Sequence, residues 1–167
     1  MRAKRVLVTL AAVVAIVAVG LVAYHWGISK GPALCQMCSR NIPKQTAFRM
    51  ATTHGTVMAC CPRCAMHHII SHPGLVRRSW ATDFDSGRMI PAQSAFYDEG
   101  GNVQYCTAHE SPVERTPTGV EVRTYDRCLP TLVAFATQDK AEAYRPQHGG
   151  RVVTYNEALG DVAAKQK

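Results

Sequence analysis

The chain has 167 residues, 47% of them hydrophobic and 19% charged, with a formal net charge of +7. That composition suits one modest globular unit, or two very small ones with an appendage. Arg2, Lys4 and Arg5 carry three of the positive charges, and no basic stripe with interleaved aromatic residues follows them, so the sequence excludes a nucleic-acid footprint.

The elements are read in chain order. "MRAKR", residues 1–5, is a compact basic patch. "VLVTLAAVVAIVAVGLVAY", residues 6–24, holds one Thr and no charge. At about 1.5 Å per residue a helix of that length just spans a hydrocarbon layer. Basic residues ahead of it keep the amino terminus cytoplasmic, so the remainder is expected outside, in a periplasm-like compartment. The run is longer than the apolar part of a cleaved leader, and no small-x-small cleavage site follows it. The expectation is an uncleaved single-pass anchor.

Residues 25–33 read as a linker, and residues 34–167 as the extracytoplasmic domain. "CQMCSRNIPKQ" is a knuckle and a turn. "TAFRMATTHGTVMACC" reads as two short strands turning at His54–Gly55. "CPRCAMHHIISHPG" reads as a short helix opened by Pro62 and stopped by Pro73–Gly74. "LVRRSWATDFDSGRM" is a strand and a turn. "IPAQSAFYDEGGNVQYC" holds a short apolar stretch, the "EGGN" turn and a strand ending near Cys106. "VEVRTYDRCLPTLVAFA" alternates like a strand through Tyr125 and breaks at Pro130. "TQDKAEAYRPQ" predicts a helix of one or two turns capped by Thr137, "HGG" a turn, "RVVTY" a strand and "NEALGDVAAKQK" a terminal helix. A cysteine-bearing turn, a strand, a glycine turn, a strand and a helix thus occur twice. The predicted fold class is α+β: two small ββα-like units sharing a core, over about residues 34–78 and 79–167, after the amino-terminal transmembrane helix.

Seven cysteines in an exported chain first suggest disulfides, but these fall in doublets. Cys35 and Cys38 sit on the knuckle, and Cys61 and Cys64 open the helix. Thiolates three residues apart across a turn can point at one ion, and four of them make a tetrahedral shell. The 22 residues between the doublets are enough for a hairpin that folds one onto the other. Cys35, Cys38, Cys61 and Cys64 are therefore the candidate structural zinc-type site, with two disulfides as the rival. Cys60 can replace Cys61 or stand apart. "CPRC" at a helix start also suggests a dithiol–disulfide exchanger, although no βαβ pattern precedes it.

A second candidate set is Cys106, His109 and Cys128, two sulfurs and one nitrogen with open positions, or else a disulfide. Further candidate ligands are Met37, Met66, His68, His72 and Met89. His68 lies four residues after Cys64 and four before His72, on one helical face. Thioether with thiolate suits copper(I), a soft ion, whereas methionine otherwise fills core space.

These residues resemble the NosL family of copper-binding accessory proteins of nitrous oxide reductase maturation. The resemblance rests on "CQMC", on "VMACCPRCAMHH" and on "PTLVAFATQDKAEAYRPQHGGRVVTYNEAL". It implies a small, exported, membrane-tethered α+β carrier that holds copper(I) for a client metalloenzyme. Met37 matches the family's metal-associated methionine. Arg127–Cys128 stands where the family has Pro-Met, so a thiol replaces a thioether. The transmembrane helix and the second doublet depart from the pattern. On this reading Cys35, Cys38, Cys61 and Cys64 hold the fold, while Cys106, His109 and Cys128 exchange the metal. The alternatives are a non-catalytic assembly subunit of a membrane complex and a thiol–disulfide oxidoreductase.

Overall fold

The structure, a computed structural model, describes residues 12–24, 34–103, 113–117, 119–122 and 128–165. The chain divides into two units, Met1–Pro32 and Ala33–Lys167. In the first, residues 12–24 form a helix, α1, exposed along its whole described length. Residues 6–11 of the predicted span lie outside the described residues, and no helix among the described residues is long and apolar enough to cross a membrane. The basic tail and the linker also lie outside them.

The second unit is mixed α and β. A four-stranded antiparallel sheet has the order β2–β1–β3–β4, built from β1 (Phe48–Thr52), β2 (Gly55–Ala59), β3 (Val76–Thr82) and β4 (Met89–Pro91). Helix α2 (Pro62–Ser71) connects β2 to β3. A second antiparallel sheet has β5 (Phe96–Glu99) between β8 (Leu132–Phe135) and β9 (Arg151–Thr154). Helix α3 (Gln138–His148) connects β8 to β9, and α4 (Tyr155–Ala164) follows. Strands β6 (Val113–Thr116) and β7 (Gly119–Val122) form a separate hairpin.

Alternation along the strands builds one core shared by both sheets. Phe48 and Met50 on β1 point inward and are fully buried. Burying side chains of that size contributes about 1.5–3 kcal/mol each. They meet Ala81 of β3, Tyr97 of β5, Leu132 and Ala134 of β8, and Ala158 and Val162 of α4. The reverse face of the second sheet carries a smaller cluster of Val133, Phe135 and Ala141, with Tyr144 of α3 beside it. Strand β8 is therefore covered on both faces, which explains why "LVAF" is apolar throughout. A parallel bridge between Asp83 and Ala134 ties the two sheets together. The Asp83 carboxylate reinforces it by accepting from the Ala136 amide at 3.0 Å.

The helix boundaries follow local chemistry. Pro62 opens α2, where an amide hydrogen would be idle. Thr137 caps α3 by accepting from the Lys140 amide at 3.4 Å. Thr154 and Glu157 form a reciprocal capping box on α4. Helix α3 is longer than expected. Pro146 lies in its last turn, where one backbone bond is lost, and the helix ends only at Gly149, φ 74°.

The "HGG" turn also has a packing role. Asp98 in the middle of β5 is fully buried, and neither carboxylate oxygen has a hydrogen-bond partner. Burial pushes its carboxyl up to about 6, against a weaker downward pull from Arg145. A Cβ on Gly150, φ 85°, would lie 2.5 Å from both carboxylate oxygens, and one on Gly101 would lie 2.6 Å from Oδ2. Gly150→Ala is expected to destabilise by about 3 kcal/mol, through strain at positive φ plus this clash. Thermal unfolding should show a fall of about 10 °C; an unchanged midpoint would refute the cradle.

Candidate metal centre

The centre is assembled from three separate stretches. The first is the knuckle over residues 35–40. Its backbone closes on itself through Ser39 N to Cys35 O at 2.8 Å and Cys35 N to Arg40 O at 2.8 Å. Ser39 takes a positive φ of 59° to make the turn. Gln36 N donates to Met58 O at 3.3 Å and docks the knuckle on β2. The second stretch is the strand-to-helix joint at Cys60–Cys64. Cys61 is the N-cap of α2, and its Sγ accepts from the Cys64 amide at 3.4 Å. Cys60 precedes the cap, with its carbonyl held by the Thr46 hydroxyl at 2.7 Å. The third stretch begins at Cys128, just before β8.

Six sulfurs meet there. Cys38 and Cys60 lie 3.5 Å apart, Cys60 and Cys128 3.7 Å, Cys64 and Cys128 3.7 Å, and Cys60 and Cys61 3.9 Å. The sulfurs of Cys35, Cys38, Cys60 and Cys64 all lie within 4.8 Å of one another, and so do those of Cys60, Cys61, Cys64 and Cys128. A disulfide would need about 2.05 Å. None of the six cysteines is half of a disulfide. Around a tetrahedral ion with metal–sulfur bonds of about 2.3 Å, neighbouring sulfurs stand about 3.8 Å apart. The observed spacings therefore fit a thiolate shell.

The sulfur-bearing residues differ in exposure. Cys35, Cys60, Cys61, Cys64 and Cys128 are buried, and Cys38 is partly buried. The Cys38 thiol is pushed up by the Cys128 sulfur, but Cys35, Cys60 and Cys64 together outweigh it, leaving it lowered to about 3. Cys38 in turn raises Cys35, while Cys60 and Cys64 lower it, for a net fall to about 6. Cys64 is shifted strongly upward by Cys128, Cys35 and Cys38 and by burial. Arg40 adds positive charge by donating from Nη1 to Cys128 Sγ at 3.4 Å.

The predicted residues separate accordingly. Cys35, Cys38 and Cys64 come together, and Cys60 completes their set of four. Cys61 belongs to the other set because its sulfur turns back to cap the helix. Cys128, predicted to join Cys106 and His109, lies in the pocket of the CxxC cysteines; Cys106 and His109 are outside the described residues. Met37 is half-buried and packs against the same core. Met66 is a fully buried core residue. Met89 lies on β4, where its sulfur accepts from the Thr82 hydroxyl at 3.9 Å. The rings of His68 and His72 are 4.4 Å apart, and burial followed by the His72 charge lowers the His68 pKa. Among the described residues no histidine joins either sulfur set.

Arg40 and Arg63 were not among the predicted site residues. Arg63, the third residue of "CPRC", is 1% exposed and pairs with Glu99 of β5 at 3.0 Å. This ion pair holds the cysteine-bearing start of α2 against the second sheet. A positive side chain inside a buried turn needs such a partner. A dithiol exchanger, by contrast, needs an accessible attacking sulfur, and both sulfurs of "CPRC" are buried.

No family model matches the chain, and no curated protein does. Among solved structures, the chain is similar to the copper chaperone NosL from Shewanella denitrificans, with a TM-score of 0.54, 16% identity, and coverage of 75% of this chain and 88% of that one. The resemblance carried by the cysteine and carboxy-terminal motifs is thereby met in three dimensions: the chain has the fold of NosL, in a divergent form.

Proposed function

We propose that this chain is a membrane-tethered, extracytoplasmic carrier of copper(I) for the maturation of a client metalloenzyme. The observation that carries the reading is the pocket of six unoxidised sulfurs at shell spacing, in a fold shared with a copper chaperone. A shell of thiolates selects soft ions. Burial shields the sulfurs from oxidation, while Cys38 at the surface offers an acceptor's ligand a point of attack. The apolar run over residues 6–24 serves as the tether, with residues 1–5 cytoplasmic and residues 25–33 the linker to the domain over 34–167.

A second reading has one specific support. Four mutually close sulfurs with three buried also describe a closed zinc shell that only holds the fold. One experiment separates the two. The full chain is purified in detergent without oxygen, analysed for metal and challenged with graded copper(I) chelators. The carrier reading expects copper to bind tightly and pass to the chelator within minutes. Zinc that copper(I) fails to displace would favour the structural reading. Protein with no metal and no free thiols would refute both.

A further inference from the structure

The sulfur pocket contains more ligands than one ion can use. A tetrahedral ion engages four thiolates. Six are present, in two sets of four that share Cys60 and Cys64. Each set separately meets the spacing of a shell. Cys35 and Cys38 belong to one alone, Cys61 and Cys128 to the other. We propose that the pocket holds two soft monovalent ions side by side, bridged by the thiolates of Cys60 and Cys64. This inference rests on reading the pocket as a metal site and assigns that site its capacity.

Three observations support it beyond the count. First, the sulfurs that a single-ion site in the first set would leave over are prepared as thiolates. Cys61 Sγ accepts the Cys64 amide at the amino terminus of α2, and Cys128 Sγ accepts from the Arg40 guanidinium. Both donors favour the anion, and a thiol that merely fills core space needs neither. Second, the bridging positions are the central ones. Cys60 is in contact with Cys38, Cys61 and Cys128, and both Cys60 and Cys64 lie 3.7 Å from Cys128. Third, sharing reduces the uncompensated charge. Six thiolates around two copper(I) ions leave a net charge of minus four, against minus five when one ion sits among the same six. In a buried pocket that difference favours the bridged pair.

The test uses the full chain, reduced and kept without oxygen. Copper(I) is added from its acetonitrile complex, and excess is removed by desalting. Copper per chain is measured, and X-ray absorption is used to look for a copper–copper vector. Two coppers per chain with such a vector are expected. Cys61→Ser combined with Cys128→Ser should lower the ratio to one and abolish the vector. One copper in the unmodified chain would overturn the bridged pair and leave the carrier reading intact. No copper would overturn both. Two coppers without the vector would also overturn the inference, since the second ion would then sit elsewhere, for example at Cys106 and His109. If the double variant does not fold, the vector in the unmodified chain decides.

Discussion

Cys60→Ser and Cys64→Ser are each expected to cost more metal affinity than any other single cysteine change. Their sulfurs are the two that belong to both sets, so either loss opens every shell the pocket can form. A structural thiolate site is worth about 10–16 kcal/mol in binding, so each of four sulfurs carries about 3 kcal/mol. Removing one should weaken binding about 100-fold or more. Cys61→Ser strikes only the set that contains Cys128 and leaves Cys35, Cys38, Cys60 and Cys64 complete. The sequence reading places Cys61 in the four-sulfur set and leaves Cys60 to replace it or stand apart. Competition titration with a copper(I) chelator decides between them. Equal affinities for Cys60→Ser and the unmodified chain would contradict the observed arrangement. The titration should be run at fixed pH, because a soft ion bound by thiolates must displace the thiol protons. Affinity is expected to fall as the solution is made more acidic.

Glu99→Gln should be strongly destabilising although it lies outside the sulfur pocket. Glu99 is 4% exposed at its side chain and pairs with Arg63 at 3.0 Å and with Arg151 at 2.6 Å. Arg151 can turn to solvent when its partner is lost, but Arg63 cannot, because its side chain is 1% exposed. A buried guanidinium left without its counter-charge costs about 3–5 kcal/mol. That corresponds to a fall of about 10 °C in melting temperature for a chain of this size. The loss should reach the metal as well, since Arg63 stands between Cys61 and Cys64. Replacing both members, Arg63→Met with Glu99→Leu, should recover much of the stability, because the uncompensated charge is gone. If Glu99→Gln melts within about 2 °C of the unmodified chain, Arg63 does not depend on this pair.

Much of the local structure could be read from the sequence. Pro62, Thr137 and the paired glycines at 149–150 mark their boundaries through backbone chemistry that acts within a few residues. The strand β5 could not be read this way. Its four residues include Asp98 and Glu99, and a local pattern with two acids argues for an edge or a turn. Both are buried in the central strand of the second sheet. Glu99 is accommodated by Arg63 and Arg151, and Asp98 by a space left clear by two glycines. All of those partners except Gly101 are more than thirty residues away.

The same division applies to the site. The sequence by itself determined that sulfur is the chemistry of this protein and that its two CxxC stretches converge, because a hairpin of that length returns on itself. It also determined the α+β class, through strand alternation and the helix boundaries marked by Pro62 and Thr137. Only the tertiary structure decided which sulfurs share a shell. The cap at the start of α2 turns Cys61 away from the knuckle, and the chain entering β8 carries Cys128 to within 3.7 Å of Cys60 and Cys64. The sequence separations are 68 and 64 residues. Contacts across such distances are set by how sheets and helices pack, and no local pattern of residues encodes them.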